Sequence, residues 1–323
     1  MKLRQIGEQR LIKSIRRQSG RRRAGIPLGI GDDAAVVRGP KNLLLTKDLL
    51  VEDYDFRKTL HPPFLLGRKS LNVSLSDIAA MGGKPLHALL GLALPGDTEE
   101  RWLADFLSGF RSAAREHGVT LVGGDFSQGA KIMISVTVTG EGKIFVPRSG
   151  AKAGDTIFVS GTLGDAAQGL RLLESGCRPG QDKAAGRLLR AFLDPAPRLA
   201  LGAALARGRL ASAMIDISDG LSVDLSHICD ESRVGAEIEL DRLPISAALR
   251  RSADDPLRLA LSGGEDFELL FTVKKANVAR VLRLATQFKI TPIGRITAGK
   301  RLVVVDASGR KKPLAIRGWE HFR

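Results

Sequence analysis

The chain has 323 residues, 43% of them hydrophobic, 26% charged and 5% aromatic, with a formal net charge of +15. That balance describes a soluble globular protein long enough for two domains, and no apolar run approaches the roughly 18 residues of a membrane span. The two cysteines, Cys177 and Cys229, sit in unrelated contexts, as in a reduced cytoplasmic protein without a disulfide framework or cysteine metal site.

The opening MKLRQIGEQR is basic but has no apolar core behind it, unlike a signal peptide. Basic residues concentrate at Arg16, Arg17, Arg21, Arg22 and Arg23 and are otherwise dispersed, as at Arg187, Arg190, Arg207 and Arg209. Aromatic residues do not interleave with them, so no base-stacking surface is expected. The charge reads as solvated surface, with specific nucleic-acid binding and membrane association both unexpected.

In chain order, residues 42–46 and 87–94 read as buried strands. Between them residues 64–81 read as a helix, with Leu71, Leu75, Ile78 and Ala79 on one face and Gly82–Gly83 as its stop. A second helix is expected over 98–117, with Asp97 as N-cap, Leu103, Phe106, Leu107 and Phe110 as its apolar stripe, and Gly118 at its end. Strands follow at 119–122 and 131–139. The glycine-rich, basic stretch 140–154 reads as an inter-domain connection, which divides the chain into 1–147 and 148–323. The second part opens on a strand at 156–160 and a helix from about Asp165. Helices at 197–210, 221–232 and 276–287 follow, with strands ending near Ile217, Val273 and Asp306. Strands and helices mix without the alternation of a doubly wound sheet, so the expected class is α+β.

Chemistry concentrates in aspartates beside glycine at the ends of apolar segments: GIGDDAAVV (Asp32, Asp33), LLLTKDLL (Asp48), SLSDIAAMGG (Asp77), LVGGDFS (Asp125) and MIDISDGLS (Asp216, Asp219). Singly, each reads as turn or cap chemistry, and Asp219 as an N-cap for the helix at Leu221. Asp77 is the exception, because aspartate is disfavoured inside a helix. Together they fit a site for a hard divalent cation and its phosphate ligands, since converging carboxylates repel unless cations lie between them. No Walker-type phosphate loop accompanies them: GRKS at 67–70 lacks the upstream glycine and GGKP at 82–85 has proline at the hydroxyl position.

GIGDDAAVV, the T-x-D of Thr46 to Asp48, NVSLSDIAAMGG, LVGGD, RSGAKAGD, IDISDGL, LSGGEDFELL and GWEHF stand in the order found in thiamine-monophosphate kinases. The resemblance runs from about Gly29 to Phe322. It implies a fold of the aminoimidazole ribonucleotide synthetase-like type. The N-terminal α/β domain would bind ATP and Mg²⁺ and pair its sheet across a homodimer, and the C-terminal α/β domain would close the site. The implied activity is ATP-dependent, Mg²⁺-dependent phosphorylation of thiamine monophosphate to thiamine diphosphate by direct in-line transfer. The resemblance places metal ligands at Asp33, Thr46, Asp48, Asp77, Asp125, Asp216 and Asp219, with Lys47 inside that set. Asp48, Asp125 and Asp216 carry the catalytic assignment. Gly124, Asp125, Arg148 and Ser218 match ATP contacts, while Glu265 and Trp319 match substrate contacts.

Two departures touch the acceptor side. Where such kinases usually read V-E-G-x-H-F with the histidine near the substrate, this chain reads VEDYDF, so Asp55 takes the histidine's place as a substrate-side residue. Lys47 stands where a small hydroxyl residue is common, and either departure also reads as drift of a solvent-facing position. The alternatives are a related enzyme with a changed acceptor and a noncatalytic nucleotide- or polyanion-binding protein. A selenophosphate synthetase would need a reactive cysteine early in the chain, and none precedes Cys177.

Overall fold

The computed structural model describes residues 27–28, 32–38, 42–178, 180 and 183–321. The arginine-rich segment expected near residue 20 lies outside them, as do Gly29 and Phe322.

The first sheet has the order β1-β2-β5-β3-β4. Its strands are β1 (Ala35–Val37), β2 (Asn42–Val51), β3 (Lys84–Leu94), β4 (Thr120–Gln128) and β5 (Met133–Gly142). Neighbours run antiparallel except β3 and β4. Helices α1 (Pro63–Ala80) and α2 (Glu100–His117) cover one face, burying Leu66, Leu71, Leu75 and Ile78 against Val136 and Val138. The two helices cross with almost no gap. A Cβ on Gly67 would lie 2.0 Å from the Phe106 carbonyl oxygen, and one on Gly109 only 1.8 Å from that of Phe64.

The linker leads into a second sheet, ordered β12-β11-β8-β10-β6-β9-β7. Its strands are β6 (Thr156–Ser160), β7 (Ala211–Ile217), β8 (Gly235–Glu239), β9 (Glu268–Val273), β10 (Ile290–Thr297), β11 (Leu302–Val305) and β12 (Lys311–Pro313). Helices α3 (Asp165–Glu174), α4 (Lys183–Leu193), α5 (Leu199–Arg207), α6 (Leu221–Ser232), α7 (Ala247–Ser252), α8 (Pro256–Ser262) and α9 (Val278–Leu284) complete it. The class is α+β, as expected. The halves share a core: Ala79, Ala80 and Val146 pack with Phe158, Leu205, Met214 and Phe271.

Three local expectations differ. α2 starts on Glu99 without a side-chain cap, so Asp97 does not cap it. The strand expected at 119–122 runs on to Gln128, because pairing with β3 carries it through Gly123 and Gly124. Asp219 does not cap α6 either; Gly220 is the N-cap, and Asp224 on the first turn accepts the Asp219 and Gly220 amides at 3.2 and 3.0 Å.

Candidate active site

Period-2 alternation along β2 turns Leu44, Thr46 and Asp48 toward α1 and leaves Leu43, Lys47 and Leu49 on the other, exposed face. On α1 the run Ser74, Ser76, Asp77 faces β2 and the end of β7. Ser74 Oγ donates to Asp48 Oδ2 at 2.6 Å, Ser76 Oγ to Asp216 Oδ2 at 2.6 Å, and Thr46 Oγ1 to Asp77 Oδ2. Carboxylate oxygens of Asp33, Asp77 and Asp216 all lie within 4.8 Å of one another. From the linker, Arg148 Nε donates to Asp33 Oδ2 at 2.9 Å and its backbone amide to Asp32 Oδ2 at 3.0 Å.

This arrangement strains its charges. Burial, then the neighbouring Asp48, Asp216 and Asp33, push the Asp77 carboxyl well above the usual carboxylate range. Burial and Asp33 do the same to Asp216. Burial raises Asp48, and burial with Asp33 raises Asp32 to about 7. Burial alone would lower the pKa of Arg148, but Asp33, Asp32 and Asp216 outweigh it and raise the value. Among the described residues Asp33 Oδ1, which is buried, has no hydrogen-bond partner. Oxygen-only ligands, crowded like charges and an orphaned carboxylate oxygen fit one or more hard divalent cations.

Beside the acids opens a cavity of about 590 Å³ lined by Asp48, Asp55, Ser218, Asp219, Glu265 and Trp319, among others. Asp48 therefore belongs to both the acid cluster and the cavity wall. Asp55 Oδ2 accepts the Val51 amide at 2.8 Å, and its Oδ1 lies 3.7 Å from His321 Nε2. Trp319 is half-exposed, edge-on to His321, and its amide donates to the Asp219 carbonyl at 3.1 Å. Asp219 also groups with Asp224 and His227 within 4.8 Å.

Three expected residues are not drawn in. Lys47 reaches Ser135 on the far face of β2. Asp125 is in register with Gly91, Gly91 with Ser135, and Ser135 with Leu49, which places it on that same far face. Three strand spacings separate it from β2, about 14 Å. Gly124 lies on the same exposed edge strand.

Residues 31–142 match the AIR synthase related protein N-terminal domain, and 152–307 the corresponding C-terminal domain. The chain is 40% identical over 314 residues to the thiamine-monophosphate kinase of Escherichia coli strain K12, covering 93% of each. It is 37% identical over 327 residues to that of Aquifex aeolicus strain VF5, covering 100% of each. The chain belongs to the thiamine-monophosphate kinase family. A solved structure of AaThiL complexed with AMPPCP and TMP superposes with a TM-score of 0.89 at 36% identity, covering 99% of both chains. The enzyme of Stenotrophomonas maltophilia K279a gives 0.78 at 40%, covering 91% of this chain and 95% of that one. Hydrogenase maturation protein HypE in complex with ATP, at 19% identity and a TM-score of 0.71 over 90% and 89% of the chains, shares the fold.

Sequence reading missed Ser74 and Ser76, whose hydroxyls orient Asp48 and Asp216, and the ion pair at 2.7 Å between buried Lys69 and part-exposed Glu265. A signal existed for Lys69. It falls at helical spacing between Leu66 and Val73 on the buried face of α1, where an unpaired lysine is not tolerated.

Proposed function

We propose that this chain transfers the γ-phosphoryl group of ATP to the phosphate of thiamine monophosphate, forming thiamine diphosphate. The observation that carries this reading is the adjacency of the Asp33–Asp77–Asp216 cluster and the 590 Å³ cavity, joined through Asp48, which lines the cavity and acts on Asp77. A cluster of acids alone holds a cation, and a cavity alone holds a ligand. A shared wall lets two phosphate groups meet.

Asp33, Asp48, Asp77 and Asp216, with Thr46, would hold Mg²⁺; when bound, the metal neutralises the converging phosphate charges. Ser74 and Ser76 fix the carboxylates that face it. Arg148, paired with Asp33 in the protein alone, exchanges that partner for a nucleotide phosphate, with Ser218 beside it. Glu265, Trp319 and Asp55 orient the acceptor so that its phosphate oxygen lies in line with the bond to be broken. No general base is needed, because a phosphate monoester is already largely ionised near neutral pH.

In the same proposal the protein works as a homodimer. Among the described residues the face of the first sheet opposite α1 is uncovered, with Leu49, Leu89 and Met133 exposed on it and Leu121, Val122 and Phe126 exposed along the edge strand β4. Burying that face against a second copy would enclose Asp125 and Gly124, the residues that stand apart here, and is the route by which they would reach nucleotide.

A turnover assay decides the activity. Purified protein with ATP, Mg²⁺ and thiamine monophosphate should yield thiamine diphosphate by chromatography; EDTA should abolish the product and free thiamine should give none. No product despite ATP binding would overturn the assignment in favour of a changed acceptor or a noncatalytic nucleotide-binding role.

A further inference from the structure

Lys69 is among the largest fully buried side chains, at 1% exposure, although ammonium groups almost never leave water unless paired. Its Nζ lies 2.7 Å from Glu265 Oε1 and 3.9 Å from the centroid of the Phe192 ring. Glu265 is one-third exposed, on the cavity side. Its backbone has a φ of +67°, the left-handed region that a side-chain-bearing residue rarely adopts. That conformation is pinned on both sides, by the Glu265 amide donating to the Ser218 carbonyl at 2.7 Å and the Phe267 amide to the Ile217 carbonyl at 2.8 Å. The pinned backbone sets the direction in which the side chain leaves the chain, and the ion pair turns Oε1 inward to Lys69 while the exposed part of the carboxylate faces the cavity.

The same ammonium governs a second group. His61, also buried and lining the cavity, packs on Phe192 with ring centroids 5.0 Å apart, and its Nε2 has no hydrogen-bond partner among the described residues. Burial, and then the charge of Lys69, bring its pKa down to about 3, so the ring is neutral at physiological pH. The inner end of the cavity is thus one fixed carboxylate and one neutral imidazole on an aromatic wall.

We infer that Lys69 is a positioning residue for acceptor specificity: by clamping one oxygen of Glu265 it presents the other to an exocyclic amine, so the cavity selects an aminopyrimidine over its oxo counterpart. A fixed carboxylate oxygen accepts from an amine; facing a carbonyl it meets another acceptor, and the mismatch is costly in a site closed to water. The inference rests on the proposed kinase activity.

The test compares thiamine monophosphate with its 4-oxo analogue, oxythiamine monophosphate, in wild type, Lys69→Met, Glu265→Gln and the double variant. Phosphorylation of thiamine monophosphate by wild type settles the underlying activity independently. Lys69→Met should raise KM for thiamine monophosphate about tenfold, the worth of one hydrogen bond to a charged group. It should leave kcat and KM for ATP within about twofold and reduce the preference for the amino over the oxo acceptor by a similar factor. The double variant should match Glu265→Gln alone, since Lys69 acts through Glu265. An unchanged amino-to-oxo ratio in Lys69→Met, or equal losses in kcat and KM for both substrates, overturns the inference. Should Lys69→Met fail to fold, the double variant, which buries no lone charge, is compared with Glu265→Gln: equal KM values sustain the inference and different ones overturn it.

Discussion

Asp77 stands inside a helix, half-buried, with Asp48, Asp216 and Asp33 around it. Its folded-state pKa is raised, so in metal-free protein the folded state loses stability as pH climbs from the ordinary carboxylate range through the raised value. Asp77→Asn removes that cost. In EDTA at neutral pH it should therefore be more stable than wild type by about 1–2 kcal/mol, by chemical denaturation, while turnover is lost. An Asn variant that is both less stable and active would contradict the arrangement. His61 gives the opposite sign: its folded pKa of about 3 lies below its ordinary 6.5. Between those values the unfolded chain binds the proton and the folded one does not, so stability falls as pH drops through that window, at up to about 1.4 kcal/mol per pH unit. Stability curves of wild type and His61→Phe from pH 7 to 4 should diverge below pH 6.5, the variant falling less steeply; parallel curves would show that His61 is not held neutral. Asp33, Asp48, Asp77 and Asp216 were legible because each is an acid that breaks the apolar pattern around it. The pairing of Lys69 with Glu265 was not: α1 gives the lysine's face, but no local pattern puts Glu265, far along the chain, against it.

Where α1 meets α2, backbone rests on backbone. The placing of both helices was readable from apolar periodicity and from Gly118, the left-handed C-cap at φ 66°. Their separation was not, because Gly67 and Gly109 inside helices register from sequence only as weak helix formers. Gly109→Ala drives a methyl to 1.8 Å from the Phe64 carbonyl oxygen and has no side chain to displace. It should destabilise the protein by about 2–3 kcal/mol, against the gain in helix propensity that the same change gives in an unpacked helix. A stabilised variant would mean that the helices sit further apart. β4 carries the complementary lesson: local β-propensity stops at Val122, yet the ladder with β3 extends the strand to Gln128 and so fixes where Gly124 and Asp125 stand.

At the scale of the whole molecule, β4 is an exposed edge bearing Leu121, Val122 and Phe126, a feature that monomers usually protect. Light scattering during size exclusion should give twice the 34.7 kDa chain mass, and Val122→Asp should shift it toward one chain and lower turnover with it. A fully active monomer would remove the proposed dimer from the mechanism. The +15 charge does not blur this outcome, since none of its basic residues falls within β4. A second feature concerns how the halves are joined. Ala79 and Ala80 at the end of α1 sit in one core with Phe158, Met214 and Phe271, and Ser76 is hydrogen-bonded to Asp216 across the divide. A protease that nicks the exposed stretch near Gly150 would therefore free no fragment. The severed pieces would stay mated through that common interior and elute together. Only genes cut before translation would reveal that neither piece is complete, each emerging with an oily scar where the other belongs.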